Sequence, residues 1–431
     1  MIGIEKSNTK RTMKLQNDTG IQWFSFMYGK KVFFIASFLF STLVHSQTLA
    51  DYINEAEQNN PELKAKKYEY EASLEKAEEV RSYENTSFGA GYFISEAETR
   101  TGAQKAMFSA NQAIPWFGTL KARKNKEIST SEIYKNELDV LSRKIALGVK
   151  QKYYELYGYR AKEKILKEQK QLIENYKEIL LSEVSNNKTS AVDVLKIEIA
   201  LNELDNTIEI LKGTMLNTET GFNTILDRDG FEDLIVPDNL IIPDEEPTMV
   251  IDDILYHPEL LKYDTLDEMM NAQKKVNTKE RMPGLSIGLD YVIVEERPDL
   301  TFDDNGKDII MPKVSVSIPL FSRKYTSRDK QFELQQESYV LQRESAQNEL
   351  GETLEKAINN RITARINFDT QLKNKIQAKQ AEEIALSGYQ TGQAAFGDLL
   401  EIQKMLLDFE IKQVEAIQEY FIQTAIINYL N

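Results

Sequence analysis

The chain has no cysteine and only two histidines in 431 residues. Without cysteine there is no disulfide, no thiolate nucleophile and no site for lipoprotein acylation, so stability must come from packing or assembly. His45 lies in a leader-like segment, which leaves His257 alone in the rest of the chain. Ser/His/Asp or Cys/His catalysis and a His/Cys zinc site are thereby nearly excluded. His257 itself reads as a turn residue beside Pro258. A Gly-rich loop with the Lys and Ser/Thr that would hold a nucleotide is also missing. No catalytic, cofactor-binding or metal site is expected, and the chain is read as no enzyme.

Long apolar runs are scarce too. A formal net charge of -15, 28% charged residues and a mean hydropathy of -0.45 exclude a bundle of membrane helices. The one run near membrane length is residues 32–44, preceded by Lys30-Lys31 and followed by His45-Ser46. A Lys pair, an apolar core and a small residue read as a secretory signal peptide, residues 1–46, cut after Ser46. Residues 1–26, ahead of Met27, carry no such pattern and read as an upstream extension.

What the chain does contain, it contains twice. Ile114-Pro115-Trp116-Phe117-Gly118 returns as Ile318-Pro319-Leu320-Phe321-Ser322, each time after a strand-like run and before a long helical stretch. Asn60-Pro61-Glu62-Leu63 returns as His257-Pro258-Glu259-Leu260, and the block 187–195 aligns with 392–400. Three ordered pairs describe a duplicated unit. The chain is accordingly divided into a first repeat, 47–226, a linker, 227–250, rich in acids and prolines, and a second repeat, 251–431.

Residues 120–182 hold no proline and few glycines, and 324–387 match them, so each repeat has a rod of about 60 residues, roughly 90 Å at 1.5 Å per residue. In the second rod Leu350, Leu354, Ile358, Ile362 and Ile366 recur every four residues. The returning helices carry Ile197, Leu201, Leu204, Ile208, Leu211 and Met215, and Leu400, Leu407, Val414 and Phe421, at coiled-coil spacing. Each repeat thus contains two antiparallel helices, reversing at Asn187 and at Gly392, residue types suited to a left-handed turn. Ser190 with Asp193 has capping-box spacing. Asp193 and Asp398 read either as caps or as exposed acids at a pore mouth.

Between helices, Leu285, Ile287, Leu289, Tyr291 and Ile293 alternate with smaller or polar residues, as do Val314, Val316 and Ile318, and more weakly Phe88 to Ile94 and Phe108 to Gln112. These are strands with one apolar face, about 9 to 11 residues long, the length that crosses an outer membrane when tilted. Four strands cannot close a barrel, and an open edge is not tolerated in lipid, so several chains must share one. The acidic stretch 295–308 reads as a solvated loop.

By the order, duplication and placement of these blocks, including Tyr389-x-x-Gly392 followed by Asp398-Leu399-Leu400, the chain resembles the TolC family of outer-membrane efflux channels across essentially all of residues 48–430. The resemblance implies an α+β membrane protein of a Gram-negative outer membrane. In it, long antiparallel coiled-coil helices form a periplasmic tunnel, and four strands per protomer join a shared trimeric twelve-stranded β-barrel. It further implies a passive conduit in a tripartite export system, partnered by a periplasmic adaptor, an inner-membrane pump of the RND or ABC type and outer-membrane lipid, with no nucleic acid. The adaptor-docking tip falls on Asn187, Thr189, Ser190, Gly392, Ala394 and Ala395. Candidate pore-entrance acids are Glu183, Asp193, Asp398 and Glu401, since carboxylates lining a pore favour cations. The other reading the heptads permit is a secreted coiled-coil scaffold or adhesin without a pore.

Overall fold

Polar side chains at three chain positions decide where the shorter helices begin. In the computed structural model, which describes residues 48–185, 190–230, 232–245, 251–299, 301–321 and 323–431, Thr48 and Asp51 form a reciprocal capping box that starts α1, Leu49–Asn59. Asn60 Oδ1 accepts the amides of Glu62 and Leu63 at 3.0 and 3.1 Å and starts α2, Pro61–Glu79. His257 does the equivalent for α5, Pro258–Glu280: its Nδ1 accepts the Glu259 amide at 3.3 Å. The expected turn residue is therefore a helix cap, 1% exposed and packed edge-on against Tyr429. The signal-peptide reading of residues 1–46 lies outside the described residues.

The rods are α3, Thr119–Ser185, and α6, Arg323–Gln390. The returning helices are α4, Ala191–Leu226, and α7, Phe396–Leu430. Among the described residues between α4 and α5, the one regular element is a 3₁₀ turn at Ile251–Tyr256. Tyr52 and Tyr157 hydroxyls accept the Ile235 and Leu240 amides, which straps the linker to the helices. Leu234, Val236 and Ile242 bury their side chains there.

On α6 the buried line differs from the four-residue stripe. Leu350, Leu354, Ala357, Arg361 and Ala364 are buried, whereas Ile362 and Ile366 are 44% and 59% exposed. A step of four residues turns a 3.6-residue helix by about 40° beyond a full circle, so a strict four-residue series walks off the contact line. Alternating steps of four and three stay on it. The position that falls inside is Arg361, whose guanidinium lies 5.8 Å from the ring centre of buried Tyr420.

The sheet comprises β1, Ser87–Tyr92, β2, Glu98–Thr99, β3, Gly102–Ile114, β4, Gly284–Glu295, and β5, Ile309–Ser317. Four strands form one antiparallel ladder in the order β1-β3-β4-β5, with the two-residue β2 beside the start of β3. The pairing of β3 with β4 joins the two halves of the chain, with Phe108 opposite Tyr291 and Ala110 opposite Leu289. A bulge at Gln104/Ala106 turns the far end of β3. No described helix is long and apolar enough to cross a membrane.

Candidate functional site: the sheet faces and the helical tip

Because side chains alternate along a strand, the register sorts the sheet into two chemically different faces. On one, Phe88, Ala110, Leu289 and Pro312 make a cross-strand row, followed by Ala90, Phe108, Tyr291 and Ile310. This face is open: Phe88 is 82% and Val314 76% exposed. The opposite face carries Ser87, Asn111, Gly288 and Lys313 in one row, Gly89, Ser109, Asp290 and Met311 in the next, and Gly91, Met107, Val292 and Ile309 beyond, so it is polar toward the helix-side rim. There Lys313 Nζ lies 2.6 Å from the buried carboxylate of Asp290, a diagonal pair that pins the β4/β5 register. β1 and β5 end the ladder, and each pairs on one side only.

The far end of the helices brings both hairpins together. Leu180 of α3, Ile197 and Leu201 of α4 and Phe396, Leu399 and Leu400 of α7 share one buried cluster. Tyr389 of α6 packs against it, its ring 5.6 Å from that of Phe396. α6 closes with a Schellman turn: the Gly392 amide bonds to Tyr389 O at 3.0 Å and the Gln393 amide to Gly388 O at 2.7 Å. Gly392 sits at φ +75°, the left-handed region that other residues enter at a cost.

The sequence-predicted tip residues take the following places. Ser190 caps α4 by accepting the Val192 amide at 3.2 Å. The Asp193 carboxylate pairs with Lys196 at 3.1 Å. In the second hairpin the Asp398 carboxylate accepts the Ala395 amide at 3.2 Å, while Ala395 has no side-chain acceptor to return. Ala394 is half-buried, and Asp398 and Glu401 are exposed. Glu183 is half-buried and accepts a hydrogen bond from the Tyr389 hydroxyl. Asn187 and Thr189 lie outside the described residues. An apolar stripe that sequence reasoning passed over lies in the first turns of α4: Val192, Leu195 and Ile199 are 56%, 58% and 57% exposed. Their spacing of three and four was legible, on the face of α4 away from its seam.

No protein-family model matches the chain, and no curated protein matches it. Solved structures do. The outer membrane protein VceC of Vibrio cholerae is 16% identical over 89% of this chain and 95% of that one, at a TM-score of 0.70. The CmeC outer membrane channel of Campylobacter jejuni is 14% identical over 89% and 85%, at 0.70. The MtrE outer membrane channel of Neisseria gonorrhoeae, in its open state, is 15% identical over 89% and 88%, at 0.68. At such identities the likeness is one of fold, and the fold is that of the TolC-type outer-membrane channels.

Proposed function

We propose that the chain is one protomer of an outer-membrane conduit, in which three copies close a twelve-stranded barrel by pairing β5 of one against β1 of the next. The observation that carries this reading is the sheet, with an exposed apolar face, a polar face and two open edges. In water such a face invites aggregation. In hydrocarbon the face is satisfied but the edges are not, because each unpaired backbone group there costs several kcal/mol. Edge closure between copies removes that cost, and the polar face then lines the lumen. Similarity of fold to proteins described as outer membrane channels supports the same reading.

In this arrangement the helices extend into the periplasm as a tunnel, and solute passes without any bond being made or broken. Energy comes from an inner-membrane pump of the RND or ABC type, coupled by a periplasmic adaptor that docks at Asn187, Thr189, Ser190, Gly392, Ala394 and Ala395. The exposed Val192, Leu195 and Ile199 supply apolar area beside those residues. Among the candidate entrance acids, Asp193 is paired with Lys196 and Glu183 is half-buried, so the exposed Asp398 and Glu401 carry the entrance field, repeated three times around the axis. Asp398→Asn is expected to lower cation preference in single-channel recordings, and unchanged selectivity would remove Asp398 from the pore.

The deciding experiment is conductance of the detergent-extracted protein in a planar bilayer, with oligomeric mass measured on the same sample. Discrete channels from a trimer are expected. A non-conducting monomer would overturn the conduit.

A further inference from the structure

The duplicated Ile-Pro-x-Phe blocks have no part in the conduit as described. Each follows a strand at the rim of the sheet nearest the helices, and its phenylalanine is open: Phe117 is 75% and Phe321 88% exposed, with Leu320 at 81%. Val314, Val316, Ile318 and Leu320 are all exposed, the last two just beyond the end of β5, so apolar surface runs on from the sheet face to this rim.

Charge is segregated along the same axis. Segments 78–84, 116–124, 279–284 and 318–329, which flank the helix-side strand ends, carry nine Lys/Arg against five Asp/Glu, in a chain of net charge -15. The opposite rim, 93–102 and 295–308, carries eight acids against three basic residues. A basic, aromatic rim therefore adjoins the apolar face on the helix side alone. Aromatic and cationic side chains in that position are the chemistry of a membrane interface, where rings sit at headgroup level and ammonium or guanidinium groups meet anionic lipid.

Closure of the barrel assembles the pieces into a site. β1 begins and β5 ends on the helix side. An antiparallel seam between β5 of one copy and β1 of the next therefore sets residues 318–321, 323 and 324 beside 81–86 of the neighbour. Arg81, its side chain 69% exposed and 3.7 Å from the exposed Glu78 carboxylate, and Tyr83, 63% exposed, then face Phe321, Arg323 and Lys324 across the seam. Lys324 Nζ lies 5.7 Å from the centre of the Tyr325 ring.

Resting on the conduit reading above, we propose that each seam binds the phosphate headgroup of an anionic glycerophospholipid from the leaflet facing the helices. Its acyl chains lie along Val316, Ile318 and Leu320. Neither copy supplies the site alone, so a trimer offers three. The occupant is a phospholipid, because the basic rim lies on the periplasmic side and the opposite rim is acidic.

The test is native mass spectrometry of the full-length protein in non-ionic detergent, titrated with phosphatidylglycerol and, separately, phosphatidylcholine. The trimer is expected to retain up to about three phosphatidylglycerols, about tenfold more strongly than phosphatidylcholine. Combined Arg81→Gln, Arg323→Gln and Lys324→Gln should erase that preference and leave trimer mass and conductance intact; Lys324→Gln alone should weaken it and serves if the triple variant does not assemble. Equal retention of the two lipids by a conducting wild-type trimer, or unchanged retention by the variants, would overturn the seam site alone. A non-conducting wild-type monomer would remove the conduit and the seam together.

Discussion

The hydroxyl of Tyr389 donates a hydrogen bond to the carboxylate of Glu183, 206 residues away in the chain. Tyr389 closes the rod of the second hairpin and Glu183 that of the first, so one contact fastens the two hairpins where both reverse. A hydrogen bond to a charged group contributes about 1.5–3 kcal/mol net, near the upper end when water is kept away. Tyr389→Phe keeps the ring packing on Phe396 and deletes this link. The expected outcome is faster amide exchange around residues 180–185 and 388–398 and a higher single-channel conductance. Unchanged exchange would show that packing alone holds the tip.

Two glycines with open space around them should respond in opposite directions to the same change. An added Cβ at Gly392 or at Gly351 meets nothing within 4 Å, so only the backbone differs. Gly392→Ala forces a left-handed conformation at a cost of about 1–2 kcal/mol, whereas Gly351→Ala, inside α6, should stabilise by about 0.5–1 kcal/mol. Thermal unfolding midpoints of the two variants, compared with the parent, check the sign of each.

Val314 and Ser315 are neighbours on opposite faces of β5. Val314→Lys places a charge on the apolar face, costing about 2–4 kcal/mol in the bilayer midplane. Ser315→Lys places it on the polar face, where it remains solvated. Heat-resistant trimer in outer-membrane extracts should fall for the first and persist for the second; equal yields would deny that the apolar face meets lipid.

Acid should weaken the junction of α5 and α7 through His257. Burial holds its imidazole below the ordinary histidine range, with Arg143 and Lys144 acting in the same sense and Glu259 opposing them. Burial works against Glu259 as well, yet the Lys144 ammonium and the Tyr429 hydroxyl hold its carboxyl below the usual carboxylate range. Below about pH 6.5 the unfolded chain takes up a proton at His257 that the folded chain refuses, so stability is lost as pH falls, by at most about 1.4 kcal/mol per unit. The contribution of Glu259 is present above roughly pH 4.5 and is lost only below it. His257→Asn retains a capping oxygen, as Asn60 shows at the matching position, and should flatten the pH dependence of the melting temperature between pH 7 and 5. A slope unchanged by the substitution would assign it to other groups.

Much of this architecture was legible because it is written in local periodicity. The rods extend only a few residues beyond their expected limits, and the β4 alternation from Leu285 to Ile293 sits inside the observed strand. β1 and β3 were fainter in the sequence, since Gly89, Gly91 and several alanines dilute the apolar signal there. The exposed stripe of Ile362 and Ile366 was misleading, because a four-residue recurrence does not match the helical turn. At the tip, Gly392 announced its turn, whereas the Tyr389 link to Glu183 left no local trace, being a meeting of side chains from separate hairpins.

The sequence by itself determined the helices, the strands and the reversal at Gly392, since each depends on residues within a turn or a strand of one another. Tertiary structure alone decided that β3 pairs with β4 to join the halves, that Arg361 is buried against Tyr420 while Ile362 is not, and that Glu183 is bound rather than open. Those outcomes depend on which surfaces meet after the chain has folded back over hundreds of residues, and no local pattern encodes that.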